Sequence, residues 1–337
     1  MGFFLFALVD NATTFYLAFI IMALGSGLCG FLTINIVLIN WFERRRSTAI
    51  ALSATGSSLA GLMVPVVAWA LSQYGWRATA IVSGVLLLVI GLPFAQMIRQ
   101  APEQYGLRPD GAKPAEGEEA TGGHGHGATG SAATAGFTAR EALRTPAFWL
   151  LASGHGLALL SVSSIAAHLI PYVVSQLGMS VELGAGMIAV LTGTSVVVHL
   201  VGGFIGDRVN RRLLATLCMV GHTVGSLVLA SAMDTMAVVI FAIVHATAWG
   251  LRGPLMTPLR ADYFGRRAIA TLEGFAAMVT TAGLTAGPLA AGLIADVTGD
   301  YRHSFLFVAS MTAIGMLCFA FAARPTPPRR PPEPALA

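Results

Sequence analysis

Among the ionisable residues inside the long apolar runs of this 337-residue chain, His199, Arg252 and Glu273 are the best candidates for a function. Such a group at the centre of a bilayer costs roughly 2.5–3.5 kcal/mol on insertion scales, so it is rare there unless it has a function. An arginine attracts anions, a glutamate can carry a proton, and a histidine titrates near neutral pH. We therefore predict these three residues as candidates for binding an anionic solute or a proton.

Each candidate also has a purely structural interpretation. Arg252 and Glu273 lie on consecutive apolar runs and could form a buried ion pair that only fixes helix packing; this is the interpretation we favour for them. His199 could hydrogen-bond a neighbouring helix, and for this residue both interpretations stay open. His222 and His245 are interpreted as packing residues.

The elements that carry these residues are apolar runs about as long as a bilayer is thick. Hydrophobic residues make up 55% of the chain and charged residues 11%, and the mean hydropathy is +0.73. Soluble domains carry roughly 25% charge, and a spanning helix needs roughly 20 mainly apolar residues. The sequence predicts an all-α polytopic membrane protein. The predicted spans are 16–41, 48–71, 78–98, 148–177, 183–206, 213–233, 236–259, 268–297 and 303–323, with 2–9 as a partial span.

Basic residues fall in every second gap between these spans, which predicts the orientation of the chain. Only Arg77 and Arg302 lie on the opposite side. The arginine-rich side is expected to be the cytoplasmic side of the plasma (inner) membrane. There each basic group gains about 1 kcal/mol near anionic lipid, so the net charge of +4 requires no nucleic-acid partner.

Composition divides the chain into four parts. Residues 1–98 are predicted to be the remnant of an N-terminal helical bundle, and residues 148–323 a C-terminal six-helix bundle. Residues 99–147 are too polar to bury a core and predict a flexible cytoplasmic linker. Residues 324–337 predict an extended, Pro-rich cytoplasmic tail. The linker histidines His124 and His126 could bind a transition metal, but a plain linker is favoured; no metal site or cofactor is expected.

The two bundles share a repeated junction. WFERR at 41–45 matches YFGRR at 263–267, an offset of 222 residues that also places Gly61 on Gly283. Parallel repeats of this kind are typical of transporters with a substrate site between the halves. At this offset residue 1 corresponds to residue 223, so the first half is expected to lack partners for more than two spans. The sequence thus predicts an N-terminally truncated chain.

One cytoplasmic loop carries a family signature. Residues 203–212 read GFIGDRVNRR, which resembles the G-x-x-x-D-R/K-x-G-R/K-R/K loop of the major facilitator superfamily. Asn210 replaces the second glycine, and asparagine tolerates the left-handed backbone that a glycine would adopt. Asp207 is predicted to sit at the positive N-terminus of the helix that begins at Ser47 and to act as a gate. The predicted gating loop comprises Gly203, Asp207, Arg208, Arg211 and Arg212.

A second motif resembles the glycine–proline helix of the same superfamily. Small residues four apart let helix backbones approach closely, and a proline permits a bend. The motif is therefore assigned to packing and bending, not to chemistry. Its residues are Gly283, Gly287, Pro288 and Gly292.

Residues near the first junction also resemble the monocarboxylate and oxalate/formate-exchanger branch of the superfamily, through Trp41, Phe42, Arg44–Arg46 and Ala49. In that branch a basic residue projects into the cavity four positions before the loop glycine, and His199 occupies that position here. Histidine is a weaker fixed anion clamp than arginine, which puts a strictly monocarboxylate substrate in doubt.

The resemblance implies a major facilitator fold with two helical bundles, the first incomplete, that binds a small solute near the bilayer midplane and rocks to expose it to either side. The expected activity is secondary active transport of a carboxylate-like organic anion, driven by protons or by exchange, and no enzymatic activity is expected. A transporter-derived membrane sensor and a non-functional truncated remnant are the alternatives.

Overall fold

The computed structural model describes residues 1–59, 64–111 and 136–326, and within them the chain forms helices, turns and loops but no strand. This confirms the prediction of an all-α polytopic membrane protein. Residues 112–135, with His124 and His126, and the end of the tail lie outside the described residues. The helices are α1 Gly2–Ala7, α2 Ala12–Cys29, α3 Phe31–Trp41, α4 Arg46–Leu59, α5 Val64–Met97, α6 Ala139–Leu143, α7 Pro146–Ser175, α8 Val181–Gly206, α9 Arg211–Ala230, α10 Thr235–Arg252, α11 Met256–Phe264, α12 Ile269–Thr298 and α13 Tyr301–Phe321.

Eight segments of the described chain are long and apolar enough to cross a membrane. They correspond to eight of the nine predicted spans. The remaining one, 48–71, crosses residues 60–63, which lie outside the described residues. The eight segments are Ala12–Trp41, Gln73–Met97, Pro146–Ser175, Leu183–Gly206, Arg211–Ala230, Thr235–Phe264, Ile269–Thr298 and Tyr301–Phe321.

The chain divides into two compact units. The first comprises Met1–Arg44 with Ser53–Thr121, and the second comprises Arg45–Leu52 with Gly122–Ala337. In the first unit, Gly75 has a left-handed backbone (φ 73°) that interrupts α5 and separates two helical stretches. Only glycine adopts this conformation without a steric penalty, which explains a break inside an otherwise apolar helix.

In the second unit, polar residues define where the spans begin. The side chains of Thr145, Ser180, Asn210 and Asp234 accept hydrogen bonds from the backbone N–H three residues later, at the starts of α7 to α10. These bonds satisfy N–H groups that a helix start leaves without partners. Asn210 therefore caps α9 with an extended backbone (φ −63°). The left-handed turn expected at this position is wrong, because the capping role takes precedence.

Part of the predicted linker is folded. The Phe137 N–H donates to the Phe264 carbonyl at 2.9 Å, and the two rings meet edge to face at 5.6 Å. A capping box between Thr138 and Glu141 starts α6 directly afterwards. An aromatic anchor thus fixes the last residues before α7 to the core of the second unit.

The glycine–proline motif packs α12 against α7. A methyl group added at Gly283 would collide with the Gly156 carbonyl oxygen, and one at Gly287 would meet the Leu160 carbonyl oxygen. The His168 Nε2 lies 2.9 Å from the Pro288 carbonyl oxygen in the same interface. The two backbones approach so closely that no side chain fits between them, as predicted for this motif.

Replacing Gly283 by alanine is expected to destabilise the protein, because the new methyl group meets backbone that cannot rotate away. Overpacking costs about 1–3 kcal/mol, which corresponds to a melting temperature lowered by about 5 °C in detergent. Gly274→Ala on the same helix is the matched control, since its methyl group would meet open space. There the better helix propensity of alanine should leave stability unchanged or higher. Equal melting temperatures for the two variants would contradict the close approach.

Candidate functional site

Arg252 lies at the end of α10 inside the second unit and is fully buried. None of its three guanidinium nitrogens has a hydrogen-bond partner among the described residues. The Trp249 ring centroid lies 5.2 Å from the Arg252 Cζ. A cation–π contact offsets part of the cost of burying the charge, but it supplies no acceptor for five N–H groups. Arg252 therefore holds a buried positive charge that the described protein does not neutralise.

Glu273 is paired with a different arginine. The Arg260 Nε and Nη2 each donate to one Glu273 carboxylate oxygen at 2.7 Å, and both side chains are at most 5% exposed. The predicted ion pair between Arg252 and Glu273 is therefore wrong. The sequence predicts that this span ends at residue 259, but in the structure it continues through α11 to Phe264. Arg260 therefore lies inside the span, two turns beyond Arg252.

His199 on α8 lies close to Gly253, the residue that follows Arg252. Its Nδ1 is 2.6 Å from the Ser195 carbonyl oxygen, so it bonds its own helix and not a neighbouring one. Its Nε2 faces Gly253, where a methyl group would come within 3.1 Å. The ring meets Trp249 edge-on, with centroids 6.4 Å apart. Because the Nδ1 is bonded to the helix, the Nε2 is the ring atom left to meet a ligand near Arg252.

Two histidines that the sequence analysis had assigned to packing form a pair. The Nδ1 atoms of His222 on α9 and His245 on α10 are 3.2 Å apart, and their rings meet edge to face at 4.4 Å. The charge of Arg252 acts on both rings, as it does on His155 of α7. Nothing in the sequence relates positions 222 and 245; only the packing of α9 against α10 brings them together.

The predicted gating loop contacts the first turn of α4, at the helix N-terminus expected from the sequence. The Asp207 carboxylate accepts hydrogen bonds from the Ser47 N–H (2.9 Å), the Thr48 N–H (3.0 Å) and the Thr48 hydroxyl (2.7 Å). Gly203 and Gly206 allow this contact, because a methyl group at either would collide with residues 47–51 or with Leu255. A carboxylate at a helix N-terminus satisfies free N–H groups and meets the positive end of the helix dipole.

The three loop arginines have different partners. Arg211 donates to Asp207 at 2.9 Å and also pairs with Asp262 of α11, which Arg46 approaches at 3.4 Å. Arg208 lies over the Phe204 ring, with its Cζ 3.4 Å from the centroid, and Arg212 donates to the Ala322 carbonyl at 3.2 Å. Arg211 is therefore part of the contact with α4, whereas Arg208 and Arg212 attach the loop to its own bundle.

The loop contact is expected to persist in weak acid. Burial alone would raise the pKa of Asp207, but hydrogen bonds from Thr48, Ser47 and Arg211 outweigh burial and hold it below the ordinary value of 3.8. A depressed carboxyl pKa stabilises the folded contact above the ordinary value, and the stabilisation is lost as the pH falls through the folded value. The contact should thus open only in strong acid.

Replacing Asp207 by asparagine should loosen the first turn of α4. Hydrogen bonds to a charged group contribute about 1.5–3 kcal/mol, so amide hydrogen exchange in residues 45–52 should accelerate at least about 10-fold. Mass spectrometry of the detergent-solubilised protein measures this rate. Asp234→Asn is the matched control, because Asp234 caps only α10. Unchanged exchange in the Asp207 variant would show that the contact does not hold this turn.

Comparison with known proteins gives a consistent assignment. The family model of the Major Facilitator Superfamily matches residues 1–272 and 194–337. The MFS transporter asaE of Aspergillus flavus is 25% identical over 292 residues, which are 84% of this chain and 59% of asaE. Monocarboxylate transporter 13 of Rattus norvegicus is 25% identical over 322 residues, covering 94% of this chain and 68% of that protein.

Two further similarities concern a sensor and the fold. The membrane sensor protein UhpC of Escherichia coli is 27% identical over 189 residues, or 51% of this chain and 37% of UhpC. The chain spans less than two thirds of the length of asaE and of UhpC. The chain also superposes on two crystal structures at 16% identity, each over 96% of its length. One is the E. coli fucose:proton symporter FucP, with a TM-score of 0.67 over 83% of that chain. The other is FucP in the outward conformation, with a TM-score of 0.70 over 79% of that chain. At this identity the likeness shows the fold. The chain is an integral membrane protein that belongs to the Major Facilitator Superfamily.

Proposed function

We propose that this protein is a secondary transporter that carries a small carboxylate-like organic anion across the plasma membrane by alternating access. The observation that carries the proposal is Arg252, whose guanidinium is fully buried and has no acceptor in the described part of the chain. Taking a charge out of water costs several kcal/mol, and an unpaired buried charge is not compensated. An anionic ligand at Arg252 would supply the missing acceptors.

The chemistry of the surroundings favours a carboxylate. The planar guanidinium presents parallel N–H groups that match two carboxylate oxygens. His199 offers its Nε2 close to Gly253, and Trp249 offers an aromatic surface between the two residues. We assign Arg252 to binding the anionic group, and His199 and Trp249 to contacts with the rest of the solute.

The relatives support this class of activity. AsaE and monocarboxylate transporter 13 are named as transporters, the second for monocarboxylates.

Asp207 and Arg211 hold the gating loop against α4, and this contact is proposed to open and close with each transport cycle. The arginine-rich loops, with the linker and the tail, are proposed to face the cytoplasm, because basic residues collect on that side. The prediction that Glu273 carries a proton stays a prediction; here both of its oxygens are bonded to Arg260.

A membrane sensor is the second candidate function, because UhpC is named as one. Such a protein would bind the same anion at Arg252 without moving it. Binding and flux therefore have to be measured separately.

The first measurement is uptake of radiolabelled pyruvate, L-lactate, succinate and oxalate into proteoliposomes, with and without an inward proton gradient. The second is binding of the same solutes to the detergent-solubilised protein. Saturable uptake of at least one carboxylate, competed by the unlabelled solute, is the expected result. Binding without uptake would support the sensor. Neither binding nor uptake of any carboxylate would overturn the proposal.

A further inference from the structure

The His222–His245 pair is a buried polar unit that the proposed anion site does not use. Both side chains are at most 1% exposed, and each lies in the middle of a membrane-spanning helix. The 3.2 Å separation of their Nδ1 atoms fits one shared hydrogen, with one ring donating and the other accepting. The His222 Nε2 has no partner among the described residues. When His222 is the donor at Nδ1, its Nε2 carries a free lone pair.

The neighbours of the pair include one positive charge, Arg252, that no described residue neutralises. Arg252 lies two turns beyond His245 on α10 and acts electrostatically on both rings. Arg260 on α11 acts electrostatically on Arg252, and its own charge is paired with Glu273 of α12. Arg252 is therefore an unpaired charge, among the described residues, that acts on the histidine pair.

Other polar and titratable side chains lie on the helices around the site. They are His155 on α7, His199 on α8, Cys218 on α9 and Thr312 on α13. The Thr312 hydroxyl accepts a hydrogen bond from the Thr223 hydroxyl at 3.0 Å. Nearer its ends, α13 also carries Arg302, His303 and Cys318. The buried hydroxyl of Ser226, one turn from His222 on α9, also lacks a partner among the residues described.

We propose that the His222–His245 pair is the proton-binding site of this transporter and that it accepts a proton only when an anion occupies Arg252. This inference rests on the proposed function and adds the coupling step to it. With Arg252 empty, a proton on the pair would place two positive charges together in a low-dielectric interior. A bound carboxylate cancels the arginine charge and removes this repulsion.

The charge and proton balance is simple. The incoming carboxylate contributes one negative charge, and one proton adds to the Nε2 lone pair of His222, so the loaded site gains no net charge. The shared hydrogen between the two Nδ1 atoms then delocalises the imidazolium over the pair. Loss of the anion on the other side restores the repulsion between Arg252 and the protonated pair, so the proton leaves with the anion or after it. By linkage, the factor by which the anion strengthens proton binding equals the factor by which the proton strengthens anion binding.

The first test uses His222→Gln and His245→Gln in proteoliposomes, with the carboxylate of the panel that the wild type takes up best. Proton-gradient-driven uptake is expected to fall at least about 10-fold relative to anion exchange in the same vesicles, because each variant removes the proton acceptor or its partner but leaves Arg252. His303→Gln, an exposed histidine of the same unit, is the matched control and should change neither rate. An unchanged ratio in both pair variants would overturn the proposal.

A second measurement on the unmodified protein covers the case in which the variants do not fold. The same carboxylate is added to concentrated protein in weakly buffered detergent solution containing a pH-indicator dye. Uptake of about one proton for each anion bound is expected. Anion binding without proton uptake would overturn the coupling and leave the proposed transport function standing. Absence of both anion exchange and anion binding would instead overturn the proposed function, and this inference with it.

Discussion

Replacing Arg252 by glutamine is expected to lower carboxylate uptake by about 100-fold or more without destabilising the fold. The arginine would make two charge-assisted hydrogen bonds to a carboxylate, each contributing about 1.5–3 kcal/mol. Because every 1.4 kcal/mol changes the affinity about tenfold, losing both bonds gives this decrease. Stability should be unchanged or higher, because the substitution removes a buried charge that has no partner within the described chain.

Uptake and melting temperature, measured on the same variant, together identify the role of Arg252. A structural arginine would lower the melting temperature when removed, whereas a ligand-binding arginine lowers uptake alone. Arg252→Lys should retain a fraction of the uptake, because an ammonium keeps the charge but not the planar fork. Arg302→Gln, at an exposed position outside the core of α13, removes the same charge and should leave uptake within about twofold. A clear fall in melting temperature with Arg252→Gln would contradict the assignment.

Much of this arrangement follows from sequence because its physical causes are local or repeated along the chain. Spanning length is set by bilayer thickness, so composition alone located eight of the spans now described. The contact between Asp207 and the first turn of α4 was predictable because the resemblance to the superfamily loop identified Asp207, and a helix N-terminus offers free N–H groups that a carboxylate can accept from.

The buried polar residues were harder to place, for a reason specific to membrane helices. A soluble helix shows which face is buried by its apolar stripe, but a span that is apolar on all sides carries no such signal. The sequence therefore pairs Glu273 with Arg252 on the consecutive span, whereas the partner of Glu273 in the structure is Arg260, which falls beyond the predicted end of that span. His222 and His245 looked like isolated packing residues because their contact exists only between α9 and α10.

Replacing Arg260 by glutamine is expected to destabilise the protein, whereas Arg252→Gln should not, although both arginines lie in one span. Arg260 holds both Glu273 oxygens at 2.7 Å, so its removal leaves a buried carboxylate without its partner. Breaking one side of a buried pair costs about 3–5 kcal/mol, which lowers the melting temperature by about 10 °C or more. Glu273→Gln should cost a similar amount, because it leaves Arg260 unpaired.

The double variant Arg260→Gln/Glu273→Gln should recover most of this stability, because two glutamines at these positions carry no charge and can hydrogen-bond each other. Replacement of a whole buried pair is often neutral, unlike removal of one partner. Melting temperatures of the two single variants and the double variant measure the coupling free energy directly. A double variant whose loss of stability equals the sum of the two single losses would show that Arg260 and Glu273 do not interact.

The same double variant also decides whether Glu273 takes part in proton coupling. It removes the glutamate without leaving an unpaired arginine, so transport can be measured in a folded protein. Because the His222–His245 pair remains, proton-gradient-driven uptake should persist at roughly the ratio to anion exchange that the wild type shows. Loss of the proton dependence with exchange intact would instead assign the proton to Glu273 and move the coupling site from the α9–α10 interface to the α11–α12 pair.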